Sequence, residues 1–224
     1  MANPIAGPYG TTAVVMSATG PDGACAEMTI EQAGFTTPRR LTNQILGATA
    51  GGTCRAYFSS YGPVPSTSSE LWTTVLTQGA NGTFFDLMGH YTPGATPSFY
   101  ECEIDFLTGT DTTGIFVNRA GTASQLGVSV NQEFAVGSWF AGAWHNTGAD
   151  VLIEGFIWDG ASSWLTTGAA LISRTDTAPG ATLQLGGYFG LEMSGSSAAT
   201  AVGDIMGGPI PPPSFHPNRM PLGV

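Results

Sequence analysis

Residues 100–109 read YECEIDFLTG and place Glu101, Glu103 and Asp105 at every second position. In an extended strand alternate side chains share a face. Three carboxylates would therefore line one side, with Cys102, Ile104 and Phe106 on the other. Two carboxyl groups about 5–5.5 Å apart across one glycosidic bond can hydrolyse it with retention. The same row also fits the wet side of an ordinary strand, or an acidic ligand, cation or interface site. The expectation taken forward is a solvated strand face with Cys102, Ile104 and Phe106 buried, and no catalytic residue.

Other residue types offer less. Trp158 and Trp164 flank Asp159-Gly160, where an exposed pair would make a carbohydrate-stacking platform with Asp159 beside it. Trp139 and Trp144 are oddly spaced and face opposite sides of a regular strand; aromatic residues of a sandwich more often pack in cores. Asp111, Asp150, Asp159 and Asp176 fall in expected loops without the dense acidic pattern of a calcium loop. His90, His145 and His216 show no metal-ligand spacing, and no G-x-S-x-G elbow occurs. Cys25, Cys54 and Cys102 are far apart and lack ligand spacing, so buried reduced thiols are expected. No metal or cofactor is expected. Asn81-Gly82-Thr83 is formally a glycosylation sequon, but Asn-Gly reads better as a hairpin turn.

The elements that must position these groups read as strands. Only 10% of the 224 residues are charged, against roughly 25% in an average soluble protein. The basic residues are six arginines with no lysine, and the net charge is −10. Phosphate binding needs clustered basic groups, so nucleic acid is set aside. No run approaches the about 18 apolar residues of a membrane span, and the N-terminus does not read as a secretory signal. Short apolar or alternating runs between glycine-containing turns point to an all-β domain. Expected strands are 54–60, 83–88, 98–106, 113–118, 127–130, 138–145, 151–158, 182–188 and 201–205. Thr37-Pro38 followed by Leu41, Ile45 and Leu46 suggests one helix. Proline- and glycine-rich ends favour extended geometry. Residues 1–12 and 207–224 are read as arms, and 13–206 as the β-sandwich domain.

From about residue 54 to 205 the chain resembles the concanavalin A-like jelly-roll superfamily, particularly its laminin-G-like members. The resemblance rests on CRAYFSSY, on VGSWFAGAWHNTGADVLIEGFIWDG, and on LQLGG followed by AVGDI. It implies two antiparallel sheets packed face to face. The family-sixteen glycoside hydrolases of the same superfamily carry Glu-x-Asp-x-Glu on one strand. Here Glu103-Ile104-Asp105-Phe106 is similar to the first half, but Leu107 and Thr108 follow where the second glutamate is required. Glu101 lies upstream and reverses the order. The resemblance thus implies the fold and leaves the hydrolytic general acid unfilled.

Lack of a catalytic constellation, a weakly charged surface and two arms lead to the expected function. It is a non-enzymatic virion structural protein, a phage head decoration or cement protein that is assembled in the host cytoplasm. Expected partners are the major capsid protein, other virion subunits and further copies of itself. The C-terminal arm is expected to bind them through Ile210, Phe215, Met220 and Leu222, with Phe215 the principal anchor. The alternative is a lectin-like carbohydrate-binding module for a surface glycan, and a less favoured one a family-sixteen-type hydrolase.

Overall fold

The computed structural model describes residues 6–31, 38–47, 52–64, 68–159, 170–184, 186–195 and 200–210. Within them no helix is long and apolar enough to cross a membrane. The strands of the first half are β1 (Ala13–Met16), β2 (Gly23–Ala24), β3 (Thr29–Ile30), β4 (Arg39–Arg40), β5 (Ile45–Leu46), β6 (Gly52–Tyr57), β7 (Ser68–Thr77), β8 (Thr83–Thr92) and β9 (Ser98–Phe106). Those that follow are β10 (Thr112–Arg119), β11 (Thr122–Gln125), β12 (Val130–Asn131), β13 (Trp139–Asn146), β14 (Val151–Trp158), β15 (Ile172–Asp176), β16 (Tyr188–Gly195), β17 (Ala201–Val202) and β18 (Ile205–Pro209). A five-residue helix, α1 (Gly180–Gln184), precedes β16.

These form two antiparallel sheets. One is ordered β15-β14-β13-β7-β17-β5-β4-β2, with β18 also paired to β7 and carrying β1. The other is ordered β11-β10-β9-β8-β16-β6-β3, with β12 also paired to β10. Their inner faces meet in one core. Ala56, Phe85, Leu87, Cys102, Ile104, Ile115, Leu191 and Met193 from the eight-stranded sheet join Leu71, Val75, Phe140, Trp144, Val151 and Ile153 from the ten-stranded one. The expected all-β sandwich is the fold observed.

Several local expectations are corrected. The helix expected after Thr37-Pro38 is a hairpin: β4 pairs with β5, Arg39 opposite Leu46. Thr42 and Asn43 turn it with φ of 52° and 61°, which Asn tolerates better than most residues. The expected strand 182–188 begins inside α1, and β16 starts only at Tyr188. The strand expected at 127–130 reduces to β12. The Asn81-Gly82 turn is present, with φ 80° at Gly82, but it joins β7 and β8, which lie in opposite sheets, so it is a corner rather than a hairpin. β7 was not anticipated because it is buried on both faces, which erases the alternation that marks a half-exposed strand.

The boundaries of the arms also shift. β18 runs to Pro209, three residues into the segment read as an arm, and pairs with β7 in register Gly207↔Leu71 and Pro209↔Ser69. Pro209, which has no N–H, interrupts nothing: the Ile210 N–H still donates to the Ser68 carbonyl at 3.0 Å. Residues 6–12 lie against the same sheet through bonds described below.

Candidate functional site

The carboxylate row of β9 sits on the outer face of the eight-stranded sheet. Cys102, Ile104 and Phe106 face the core at 0–3% exposure, as alternation requires. The opposite face is not the open, solvated one expected. Glu101 is only 7% exposed, and Glu103 and Asp105 are half-buried. The reason is what the neighbouring strands bring. Asp86 of β8 lies opposite Glu103, Glu192 of β16 lies opposite Asp86, and Arg55 of β6 lies opposite Glu192. One row across four strands therefore reads Arg55, Glu192, Asp86, Glu103. The adjacent row holds Tyr57, Gly190, Met88 and Glu101.

Beside this row the sheet face is aromatic. Met88, Tyr91 and Phe99 are buried together, with Tyr57 and Tyr188 packed on them. Tyr91 stacks on Phe99 at 5.0 Å between centroids, and Tyr57 lies 4.9 Å from Tyr188. Glu31 secures the rim: it accepts from the Tyr91 hydroxyl and from the Gly94 N–H at 2.9 Å. Glu31, Arg55, Gly94, Ala95, Pro97 and Gly121 line a cleft of about 300 Å³ there.

The electrostatics are unbalanced. Arg55 is the cation in the row; it is ion-paired to Glu192 and lies 4.7 Å over the Phe99 ring. Burial, then the charge of Glu192, pushes the Glu101 carboxyl up to about 8. Burial, then Asp105 and Glu101, pushes Glu103 up to about 8. Asp86 is raised well above the usual carboxylate range by burial and by the four acids around it. Glu192 is raised by burial despite its pairing with Arg55. Asp86 is 1% exposed, and its Oδ1 is buried with no hydrogen-bond partner among the described residues.

Sequence reading found Glu101, Glu103 and Asp105 and missed Asp86, Glu192 and Arg55. A signal existed. Asp86 and Glu192 each interrupt an apolar run, FFDLM and GLEMS, and a lone acid inside such a run marks a strand face that holds charge. Nothing in the linear order joins positions 86, 101 and 192. The arrangement has an acid with raised affinity for protons, as a general acid needs. The central carboxyls, however, are packed against one another on a single wall, and Asp86 and Glu101 are below a tenth exposed.

The outer face of the ten-stranded sheet holds the other sequence candidates. Trp158 is 8% exposed and packs with Trp72, Trp139, Ala141, Ala143 and Phe156, against Tyr9, Ala170, Met206 and Ile210. Its rings are spent on packing, so the exposed platform expected there is corrected. Asp159 is exposed, while Trp164 lies outside the described residues. Trp144 is in the inter-sheet core and Trp139 on this outer cluster, opposite sides as their spacing requires. Asp111 and Asp176, read as loop acids, are each 3% exposed and structural. Asp111 accepts the Leu107 and Phe134 N–H groups, and Asp176 binds Tyr100 and Arg119. Ile210 is half-buried on its own sheet; Phe215, Met220 and Leu222 lie outside the described residues. Cys25, Cys54 and Cys102 are buried thiols.

The same sheet clamps the N-terminal segment. Glu70 of β7 is fully buried and accepts the N–H groups of Tyr9 at 2.8 Å and Thr11 at 2.9 Å. The Tyr9 hydroxyl donates to Glu154, and its ring meets His145 edge-on at 4.6 Å.

No protein-family model and no curated protein matches the sequence. Solved structures do match the fold. The Emp46p carbohydrate recognition domain in its metal-free form aligns with a TM-score of 0.53 at 6% identity, over 81% of this chain and 88% of that one. The laminarinase from Rhodothermus marinus aligns with 0.52 at 10% identity, over 84% and 93%. A legume lectin-like domain from Entamoeba histolytica aligns with 0.51 at 12% identity, over 81% and 89%. At these identities the likeness is one of architecture, and the chain has the concanavalin A-like, legume-lectin-like jelly-roll fold.

Proposed function

We propose that the protein is a non-enzymatic structural component of a virion, a head decoration or cement protein that attaches through its terminal segments. The observation that carries this reading is where those segments go. β1 and β18 pair antiparallel, Ala13 opposite Gly207, so residues 6–12 run beside residues 208–210. Both lie on the outer face of the ten-stranded sheet, with Tyr9 and Ile210 in one apolar cluster. The described parts of the two terminal segments therefore lie side by side on one face of the sandwich. The sequence beyond Ile210 adds Phe215, Met220 and Leu222 among prolines; stiff segments lose little entropy on docking. Low surface charge suits a chain that contacts neighbours, since interface cores are depleted of charge. The crowded single wall of carboxylates favours the non-enzymatic reading over hydrolysis, which needs acids on both sides of a bond. The test is rebinding to stripped particles: protein lacking residues 211–224 should keep its melting temperature and lose incorporation. Normal incorporation of the truncated chain would sink the proposal.

A second reading is glycan binding, favoured by the cleft at Arg55 and Pro97 beside the half-buried rings of Tyr57 and Tyr188. Aromatic faces and charged groups converging on a cleft suit sugars, and the structural neighbours include a carbohydrate recognition domain and a laminarinase. A glycan array should then show hits that Tyr188→Ala abolishes; hits unaffected by Tyr188→Ala would count against this cleft.

A further inference from the structure

We infer that Asp86, Glu101 and Glu192 form a binding site for a hard divalent cation, with Ca²⁺ the best fit. One oxygen from each residue lies within 4.8 Å of the other two. Calcium binds oxygens at about 2.3–2.6 Å, so two of its ligands are up to about 5 Å apart; magnesium, at about 2.0–2.1 Å, needs them within about 4.2 Å. The three acids come from adjacent strands β9, β8 and β16, in register positions locked by the sheet ladders. A site built on paired strands holds its ligands more exactly placed than one built on loops.

The second observation is independent of that clustering. Asp86 is the central acid of its row, 1% exposed, and its Oδ1 is shielded with no hydrogen-bond donor among the described residues. Native proteins leave few buried polar atoms unsatisfied, and each calls for an explanation such as an ion. Arg55 does not supply it, because its Nε is engaged with Glu192. Asp86, Glu101, Glu103 and Glu192 thus carry four acidic groups against one guanidinium, a deficit that a divalent ion reduces. The donor set is carboxylate alone. Cys102, the nearest soft ligand in sequence, points to the opposite side of β9 and into the core. Oxygen-only sites suit calcium, magnesium or manganese rather than zinc or copper.

The experiment uses the full chain, stripped with chelator and dialysed. Calorimetric titration with CaCl₂ should give one saturable site, and the melting temperature should rise with CaCl₂ by mass action. Magnesium should bind at least about tenfold more weakly, given its shorter bonds. Asp86→Asn should remove the calcium response while remaining folded in chelator, because it deletes an acid whose Oδ1 has no hydrogen-bond donor among the described residues. If Asp86→Asn does not fold, Glu101→Gln is read instead and should weaken calcium binding at least about tenfold. No heat and no melting shift up to about 10 mM CaCl₂, beyond the weakest calcium modules, would overturn the inference. So would calcium binding that Asp86→Asn or Glu101→Gln leaves unchanged, which would locate the ion elsewhere on an acidic surface.

Discussion

Removing the Glu70 carboxylate should release the N-terminal segment without unfolding the sandwich. Glu70 is fully buried and accepts two backbone N–H groups, from Tyr9 and Thr11. Burial raises its carboxyl, and those two donors hold it down, so part of their strength offsets desolvation. A hydrogen bond contributes about 0.5–1.5 kcal/mol net, and a buried donor left unpaired costs about 1–3 kcal/mol. Thr11 is buried, whereas Tyr9 is half-buried and regains water. Glu70→Ala should therefore weaken docking of residues 6–12 by about 2–4 kcal/mol. At about 1.4 kcal/mol per decade, amide exchange of Tyr9 and Thr11 should accelerate about 30- to 1000-fold. Amides of β9 and β13, whose ladders run to β8, β10, β7 and β14, should keep their protection. Glu70→Gln retains one acceptor and should fall between. Gly7→Ala should act in the same direction, since a Cβ there would lie 2.5 Å from Glu70 Oε1 and 2.7 Å from Trp72 Nε1. Unchanged protection of Tyr9 and Thr11 in Glu70→Ala would refute the reasoning and leave apolar contact as the sole anchor.

In chelator, stability should fall as pH rises from about 5 to about 8.5. Glu101 and Glu103 are pushed up from the ordinary 4.5 to about 8, so the folded state holds protons the unfolded chain has lost, and the slope is negative. The full shift of one group corresponds to about 5 kcal/mol, an upper bound because Asp86, Glu101, Glu103 and Glu192 share one field and their contributions overlap. Urea midpoints at the two pH values check this; Glu101→Gln should flatten the dependence, and a stability that rises over this interval would contradict it. The thiols of Cys25, Cys54 and Cys102 are buried and raised by desolvation, Cys54 to about 11. A thiol reagent should therefore react slowly with native protein and count three in denaturant without reductant; a count of one would mean a disulfide. Gly89→Ala would place a Cβ 2.3 Å from the Trp144 ring, which is wholly buried. Overpacking of this kind costs about 1–3 kcal/mol, with a shift in Trp144 emission; an unchanged urea midpoint would show that this packing is misjudged.

The all-β class and strands β9, β13 and β14 were legible from residue order alone: β9 and β14 alternate, and β13, though covered on both faces, reads as a nearly continuous apolar run. So was the inward set Cys102, Ile104 and Phe106. β7 was not, since it is covered on both faces and also buries Ser69, Glu70, Thr73 and Thr74, so neither alternation nor an apolar run marks it; the 38–46 segment misled because Leu41, Ile45 and Leu46 fit a helical spacing that Thr42 and Asn43 break with a left-handed turn. Trp158 showed its type but not its surroundings: covering it takes Tyr9, Met206 and Ile210, from both ends of the chain. The acidic row divides the same way. Alternation put Glu101, Glu103 and Asp105 on one face, which is a property of any strand. Whether that face would be wet depended on what lay one strand spacing away. Asp86 and Glu192 arrive there through sheet register, which hydrogen bonds between distant segments decide, and only that convergence turns three ordinary acids into a buried, charge-deficient site.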